Sequence, residues 1–479
     1  MNKLFTIIAL LAALGSQAQD TLKVMSYNLL NYPTARTIQE KNGYLTTIFG
    51  YAQPDILGVV ELGNNVSYAE SILNVVLNQN GTINKYARAA YSCTAGSSIC
   101  NMLYYNAEKL GLAHQYVIPF PTLREMNHYV LYYKSPDLAL THDTIFFNVI
   151  AVHLKASDSS ADAAKRNEMT TLIMQHLNTN PYGSGNVVVL GDFNMYRSTE
   201  AGYQTLTNYT ANPSISFFDP LHFLPSTWTN NATIAPYCTQ ATRLVDIFDG
   251  GSTGGMDDRF DMILFSPSLV NNTQSVDFIE GTYTAVGQDG LHFNNSLLAS
   301  PTNTTVPSNV LDALYYNSDH LPVTAKVAVQ YERVLYTDLD TLGATALCQG
   351  DTTYLSIVPQ AGYTYQWFRN DTLLAGATQH ELAIGQAGAY RVEVYYFAQS
   401  ASSATVIITE KQPPIPVISG TNPVCIWDTY LYSTPHTEGH TYTWTVTNGT
   451  IVSGQGTNEI VVQWDEAESG TVSVEESSN

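Results

Sequence analysis

Val187-Val188-Val189-Leu190-Gly191-Asp192-Phe193-Asn194 joins an unbroken apolar run to a polar turn, and the fold is decided by how this stretch is read. Three valines and a leucine without polar alternation describe a strand covered on both faces, as in a sheet sandwiched between other layers. The glycine then breaks the run. Asp192 and Asn194, two residues apart in an extended segment, face one side. The same pattern recurs outward from it along the chain. Tyr27-Asn28 follows Val24-Met25, Glu61 follows Ile56-Leu57-Gly58-Val59-Val60, and His153 follows Val149-Ile150-Ala151-Val152. Asp261 opens Met262-Ile263-Leu264-Phe265, and Ser318-Asp319-His320 precedes Leu321-Pro322-Val323. Strands are expected at 22–29, 56–60, 102–105, 129–133, 144–153, 187–190 and 261–265. Over 162–177, Met169, Leu172, Ile173 and His176 recur at helical spacing, with Lys165, Arg166 and Glu168 on other faces. Interleaved strands and helices place one α/β domain at 20–331.

Length and charge bound what such a domain does. The 479 residues suffice for two to four domains. Lys and Arg number 20 against 41 Asp and Glu, a net charge of −21, with only 13% of residues charged and 44% hydrophobic. The acidity therefore reflects a shortage of bases and excludes histone-like or polybasic membrane binding, because polyanion affinity needs cations that displace counterions. Any nucleic-acid contact must be confined to a local cleft. Residues 1–18 carry Lys3, the apolar run from Leu4 to Leu14, and Ser16-Gln17-Ala18, the pattern of a cleaved secretory signal peptide. That run is too short to span a bilayer, which takes about 20 residues. The expected location is extracellular, secreted or at the cell surface. Of five cysteines, Cys93 and Cys100 bracket a short loop that one disulfide could close, a pairing the sequence leaves open, and no zinc pattern occurs.

Beyond residue 331 the helical period ends. Tyr363-Thr364-Tyr365-Gln366-Trp367 and Gly388-Ala389-Tyr390-Arg391-Val392-Glu393-Val394 are alternating strands, which makes 332–411 an immunoglobulin-like β-sandwich. After the proline-rich Lys411-Gln412-Pro413-Pro414-Ile415-Pro416, a second Tyr-x-Trp strand opens another sandwich at 412–479. It stops at Thr471-Val472-Ser473-Val474 with almost nothing after it, so the chain is expected to be a fragment of a longer protein. Trp367, Trp444 and Trp464 are expected in the cores of these modules.

Singly, each polar strand end reads as a cap or a solvated turn. Together, carboxylates, amides and two histidines gathered at one loop face describe phosphoryl transfer. A hard divalent cation takes oxygen ligands, which Glu61, Asp319 and Asn28 offer. Asp192 can align and deprotonate water, Asn194 lies beside it, and His153 and His320 can bond non-bridging oxygens. The series Ser26-Tyr27-Asn28, Ile56 to Glu61, His153-Leu154, Gly191-Asp192-Phe193-Asn194, Arg259-Phe260-Asp261-Met262-Ile263-Leu264 and Ser318-Asp319-His320 resembles, in order and spacing, the endonuclease/exonuclease/phosphatase superfamily, which includes deoxyribonuclease I and exonuclease III.

This resemblance implies an α/β four-layer sandwich, two packed mixed β-sheets flanked by helices, followed here by one complete and one truncated β-sandwich module. It implies Asn28, Glu61 and Asp319 as metal residues, and His153, Asp192, Asn194, Asp261 and His320 as catalytic residues, with Asp261 orienting His320. The implied cofactor is Mg²⁺ or Mn²⁺, with Ca²⁺ as an alternative. Leu29-Leu30-Asn31 stands where exonuclease III-type members carry an acidic residue, which leaves a second metal position open. The element around Asp261 resembles the nuclease form more than the inositol-phosphatase form and tilts the expected substrate toward nucleic acid. Arg166, Arg197, Arg243 and Arg259 are candidate phosphate contacts, and Arg243 is the one favoured.

The resulting expectation is a secreted metal-dependent phosphodiesterase, an endonuclease acting on extracellular DNA or RNA. The alternative substrates are lipid head groups or small phosphate esters, since a fold does not set the leaving group. A binding or adhesion protein with a dead catalytic domain is the third reading. The C-terminal modules resemble immunoglobulin-like and polycystic-kidney-disease-like modules of secreted Bacteroidetes-type proteins, with cell-surface or polysaccharide contact as their expected role.

Overall fold

A computed structural model describes residues 18–33, 36–247, 249–331, 334–360, 362–396, 399–465 and 469–478. The signal-peptide expectation, apart from Ala18, lies outside the described residues. One compact unit extends to Val334 and a second begins at Leu335.

The first unit contains strands β1 (Ala18–Tyr32), β2 (Ile56–Gly63), β3 (Tyr86–Arg88), β4 (Ile99–Asn106), β5 (Leu110–Ile118), β6 (Met126–Tyr133), β7 (Phe146–His153), β8 (Val187–Asp192), β9 (Asp261–Phe265), β10 (Val276–Phe278), β11 (Thr284–Ala285) and β12 (Val323–Tyr331). Its α-helices are α1 (Ile38–Ala52), α2 (Val66–Ser71), α3 (Leu138–Thr141), α4 (Ser160–Thr179), α5 (Ala201–Thr207), α6 (Pro267–Asn271) and α7 (Ser308–Asn317). One sheet runs β10-β12-β1-β2-β4-β3, with β11 paired to β12, and the other runs β5-β6-β7-β8-β9. Both are mixed, as expected. β1 and β2 are parallel, as are β7 and β8, while β12 and β9 run antiparallel to β1 and β8.

The two sheets pack face to face through apolar side chains, and every residue of β8 is buried. Gly58 makes the close approach: a Cβ there would lie 2.2 Å from Leu190 Cδ1 across the seam. Helices cover the outer faces. α1 is fixed at its start by a capping box between Thr37 and Glu40, and Phe49 meets Tyr27 of β1 edge to face. α4 starts at Ser159, whose side chain accepts from Asp162 N–H, and covers β6 where His176 Nε2 lies 2.9 Å from His128 Nδ1. Arg166, expected away from the core face of this helix, is buried instead, because Glu200 and the carbonyls of Lys155 and Ser157 satisfy its guanidinium.

In the second unit, Leu339–Thr341, Thr353–Ile357 and Glu381–Ile384 form one sheet. Ala346–Leu347, Val406–Glu410, Gly388–Tyr396, Thr364–Arg369 and Thr372–Leu373 form a second. Further along, Ser419–Gly420, Thr429–Ser433, Glu459–Trp464 and Gly449–Ser453 form a sheet, and Thr471–Ser478 pairs with His440–Thr447. Trp367, Trp444 and Trp464 are buried in the two cores. Cys93 and Cys100 are bridged, whereas Cys238, Cys348 and Cys425 are free.

Candidate active site

Strand direction assembles the site. In parallel pairs the carboxyl ends lie together, so β1 and β2 bring Asn28 near Glu61, while β7 and β8 bring His153 level with Asp192. An antiparallel neighbour places its amino end at that same edge. Thus Asp261, the first residue of β9, pairs with Asp192, and His320 lies just before β12, whose Val323 pairs with Ser26. Six side chains from separate elements therefore converge without a long loop to carry any of them.

Asn28 stands at the centre. Its Nδ2 donates to Glu61 Oε1 and to Asp192 Oδ2, each at 3.0 Å, and lies 3.3 Å from His320 Nε2. Its Oδ1 accepts from Leu30 N–H at 2.9 Å. The expectation made Asn28 a metal ligand. As placed, the amide instead turns its nitrogen to the carboxylates and acts as a donor between them. Asn31 N–H donates to the other Glu61 oxygen at 3.0 Å. His153 Nε2 lies 3.7 Å from Glu61 and 3.6 Å from Asp192. Glu61, His153 and Asp192 form the one group of three among the described residues whose ligand atoms fall close enough to share an ion.

Backbone conformation marks the same residues. Leu30, Asn31, Glu61 and Asn194 all have positive φ, at 50°, 49°, 58° and 49°. Such a conformation disfavours side chains other than glycine and persists where surrounding bonds over-determine it. Gly191, at φ 141°, needs its missing side chain, since a Cβ would sit 1.8 Å from Val152 O. Asn194 folds back so that its N–H donates to Asp192 Oδ1 at 3.0 Å and its Nδ2 to Leu154 O at 3.3 Å.

The expected Asp261–His320 pair is present at 2.7 Å, on Nδ1, which leaves Nε2 facing the site. Burial disfavours a charged His320, yet Asp261, Asp319 and Asp192 outweigh it and hold its pKa well above the usual value. Burial raises Asp192 to about 7, with His320 opposing and Asp261 and Glu61 reinforcing. His153 goes the other way, well below its usual value, through burial, Arg124 and His320. The site thus holds one histidine inclined to charge and one held neutral.

Two expectations do not come together as drawn. Asp319 lies outside the group of ligand atoms close enough to share an ion: its Oδ2 accepts from Gln240 Nε2 at 2.9 Å and Ser252 N–H at 2.7 Å, while its Oδ1 is buried without a hydrogen-bond partner. Arg243 is wholly buried and ion-paired with Asp249, with Nη2 on Tyr315 O at 2.9 Å, so its guanidinium is committed to structure and does not face a phosphate. Arg259 is likewise held by Asp219, and Arg197 by Asp158.

A further cation, Arg124, is marked by no sequence motif. Its Nε donates to His153 O at 2.7 Å and its Nη2 to Leu154 O at 3.2 Å, and it acts electrostatically on Glu61 and Asp192. Because β6 is antiparallel to β7, with Asn127 opposite Ala151, the segment preceding β6 must reach the His153 end. That was the available signal. Gln240, 2.6 Å from His320 Nε2, carried none, since it lies outside any strand.

Compared with solved structures, the chain is similar to D. rerio TDP2 complexed with single-strand DNA product, at 13% identity over 64% of this chain and 98% of that one, with a TM-score of 0.40. It is similar to ANGEL2, a 2′,3′-cyclic phosphatase, at 13% identity over 65% and 95%, with a TM-score of 0.38. A third is the 3′ phosphatase NExo from Neisseria bound to a product DNA hairpin, at 15% identity over 64% and 98%, with a TM-score of 0.34. No curated protein matches the chain. Residues 411–479 match the model of the PKD-like domain family.

Proposed function

We propose that the chain is a secreted, divalent-cation-dependent phosphodiesterase, an endonuclease that hydrolyses extracellular DNA or RNA by water attack on phosphorus. The observation that carries the reading is the convergence of Asn28, Glu61, His153, Asp192, Asp261 and His320 at one end of two packed sheets. These donors suit a hard cation. Glu61 is partly exposed, with the Asp192 carboxylate and the His153 ring beside it. Glu61 would hold Mg²⁺, Mn²⁺ or Ca²⁺, and such an ion supplies charge neutralisation on the phosphoryl oxygens.

The chain's own groups do the rest. Asp192, held by Asn28 and by the Asn194 N–H, accepts the proton of the attacking water and keeps it aligned. His320, fixed through Nδ1 by Asp261, presents Nε2 to a phosphate oxygen. His153 faces the same space through Nε2, and Arg124 fixes the backbone on which His153 stands. Secretion is supported by the leader-like residues 1–18. No described helix is long and apolar enough to cross a membrane.

Glu61→Ala and Asp192→Ala are each expected to cut hydrolysis about 10³-fold or more with the circular-dichroism spectrum unchanged. Plasmid DNA, RNA, sphingomyelin and bis-p-nitrophenyl phosphate with Mg²⁺ or Mn²⁺ form the substrate panel. Turnover confined to sphingomyelin or to the small ester would replace the nuclease reading, and activity persisting in EDTA would end the cation-dependent one.

A further inference from the structure

Lys41, in the first turns of α1, has no exposed surface, although lysine is among the residues least often buried. Its ammonium has three donors and meets three backbone carbonyls: Leu29 O at 2.9 Å, Leu30 O at 3.4 Å, and Asn317 O in a shorter contact. Leu29 and Leu30 lie where β1 turns left-handed, and the β1–β2 pairing skips from Asn28 to Tyr32. Asn317 is the last residue of α7, where helix carbonyls are left over and the dipole favours a cation. Burial pushes the lysine pKa down to about 7, with Asp249 opposing, yet a neutral amine would offer only two donors to these three acceptors.

What the ammonium joins is the frame of the candidate site. The turn it holds supplies the N–H groups of Leu30 and Asn31, which fix the Asn28 amide and the Glu61 carboxylate. The helix end it holds runs directly into Ser318, whose hydroxyl donates to Asn28 O at 2.8 Å and accepts from His320 N–H at 3.1 Å. We propose that Lys41 is a positioning residue: its buried ammonium clamps the turn after β1 to the end of α7 and so fixes Asn28 and Glu61 relative to the Asp319-His320 segment. The inference rests on the cation-dependent reading of the site.

The test uses the full chain carrying Lys41→Met, which keeps the volume and removes the donors, with Leu269→Ala as a control in the buried core of α6. Mn²⁺ affinity is measured by titration calorimetry, and kcat and KM on bis-p-nitrophenyl phosphate. Lys41→Met is expected to weaken Mn²⁺ binding about 10-fold or more, and to lower kcat more than it changes KM. Leu269→Ala, folded at the assay temperature, is expected to bind Mn²⁺ like the wild type. A folded Lys41→Met that binds Mn²⁺ with wild-type affinity overturns the clamp, as does equal weakening in Leu269→Ala. Should Lys41→Met not fold, Lys41→Gln, with two donors left, is read by the same criteria. Absence of Mn²⁺ binding by the wild type overturns the cation reading and the clamp with it.

Discussion

The Asp261–His320 pair fixes which nitrogen of a buried imidazole faces the candidate site. Because Asp261 Oδ2 accepts from Nδ1, the other nitrogen is the one aimed at Asn28 and Asp192. Asp261→Asn would offer an amide that can donate to Nδ1 and hold the opposite tautomer. The expected outcome is a fall in kcat of about 10²- to 10⁴-fold with KM little changed, measured in steady-state assays on bis-p-nitrophenyl phosphate. A change confined to KM would mean that His320 binds substrate without taking part in the chemical step. The pair was expected from the superfamily resemblance, and the strand directions that bring Asp261 and His320 to one edge are visible only in the structure. Arg243 could not be judged that way: only the position of Asp249 reveals that its charge is already taken.

At the scale of elements, the contact between α4 and β6 carries a pH signature. His128 is buried between His176 and Asn148, and burial lowers its pKa from 6.5 to about 4, with Asn148 opposing and His176 reinforcing. The unfolded chain takes up this proton below pH 6.5, whereas the folded chain resists until about pH 4. Stability from this group is therefore complete above pH 6.5 and lost as pH falls toward 4, by up to about 3 kcal/mol. Urea unfolding at pH 7.5, 5.5 and 4.5 is expected to show that decline, and His128→Gln to flatten it. Equal slopes in the two proteins would place the acid sensitivity elsewhere.

The elements themselves were unevenly legible. The valine run 187–190 and the strand Asp261–Phe265 announce themselves by composition and are strands in the structure. By contrast β5, Leu110–Ile118, escaped: at the sheet edge its Ala113, His114 and Gln115 are not covered, so no apolar run marks it. The β1 strand continues past Asn28 to Tyr32 through a left-handed turn that residue propensities do not announce. The candidate cluster was legible because its members stand at the ends of apolar runs, whereas Gln240 and Ser252 reach Asp319 from irregular chain that no period describes.

On the scale of the whole molecule, charge is distributed unevenly. Up to residue 330 there are 16 Lys and Arg against 25 Asp and Glu, and beyond it 4 against 16, so nets of −9 and −12. A long polyanionic substrate is repelled by both parts, and salt screens that repulsion over a Debye length of about 8 Å at physiological ionic strength. For plasmid DNA, KM is expected to fall or stay level as NaCl rises from about 20 to about 150 mM at fixed Mg²⁺, the reverse of counterion-release binding. A steep rise in KM across that range would show that a basic surface dominates substrate capture. The arginine pairings agree with this expectation, since Arg166, Arg243 and Arg259 are all buried with carboxylates.

Asn28 reaches Glu61 within its own sheet and Asp192 in the other, so one primary amide spans the seam that Gly58 and Leu190 bring so close. A slip of one sheet along the other by about 1 Å would part that amide from Asp192 while every strand pair stayed intact, because hydrogen bonds weaken quickly with distance. Heating or pressure should then silence the protein before its sheets melt. In that sense the molecule carries an alignment gauge at its working end, one that reads the fit between its two halves before unfolding begins.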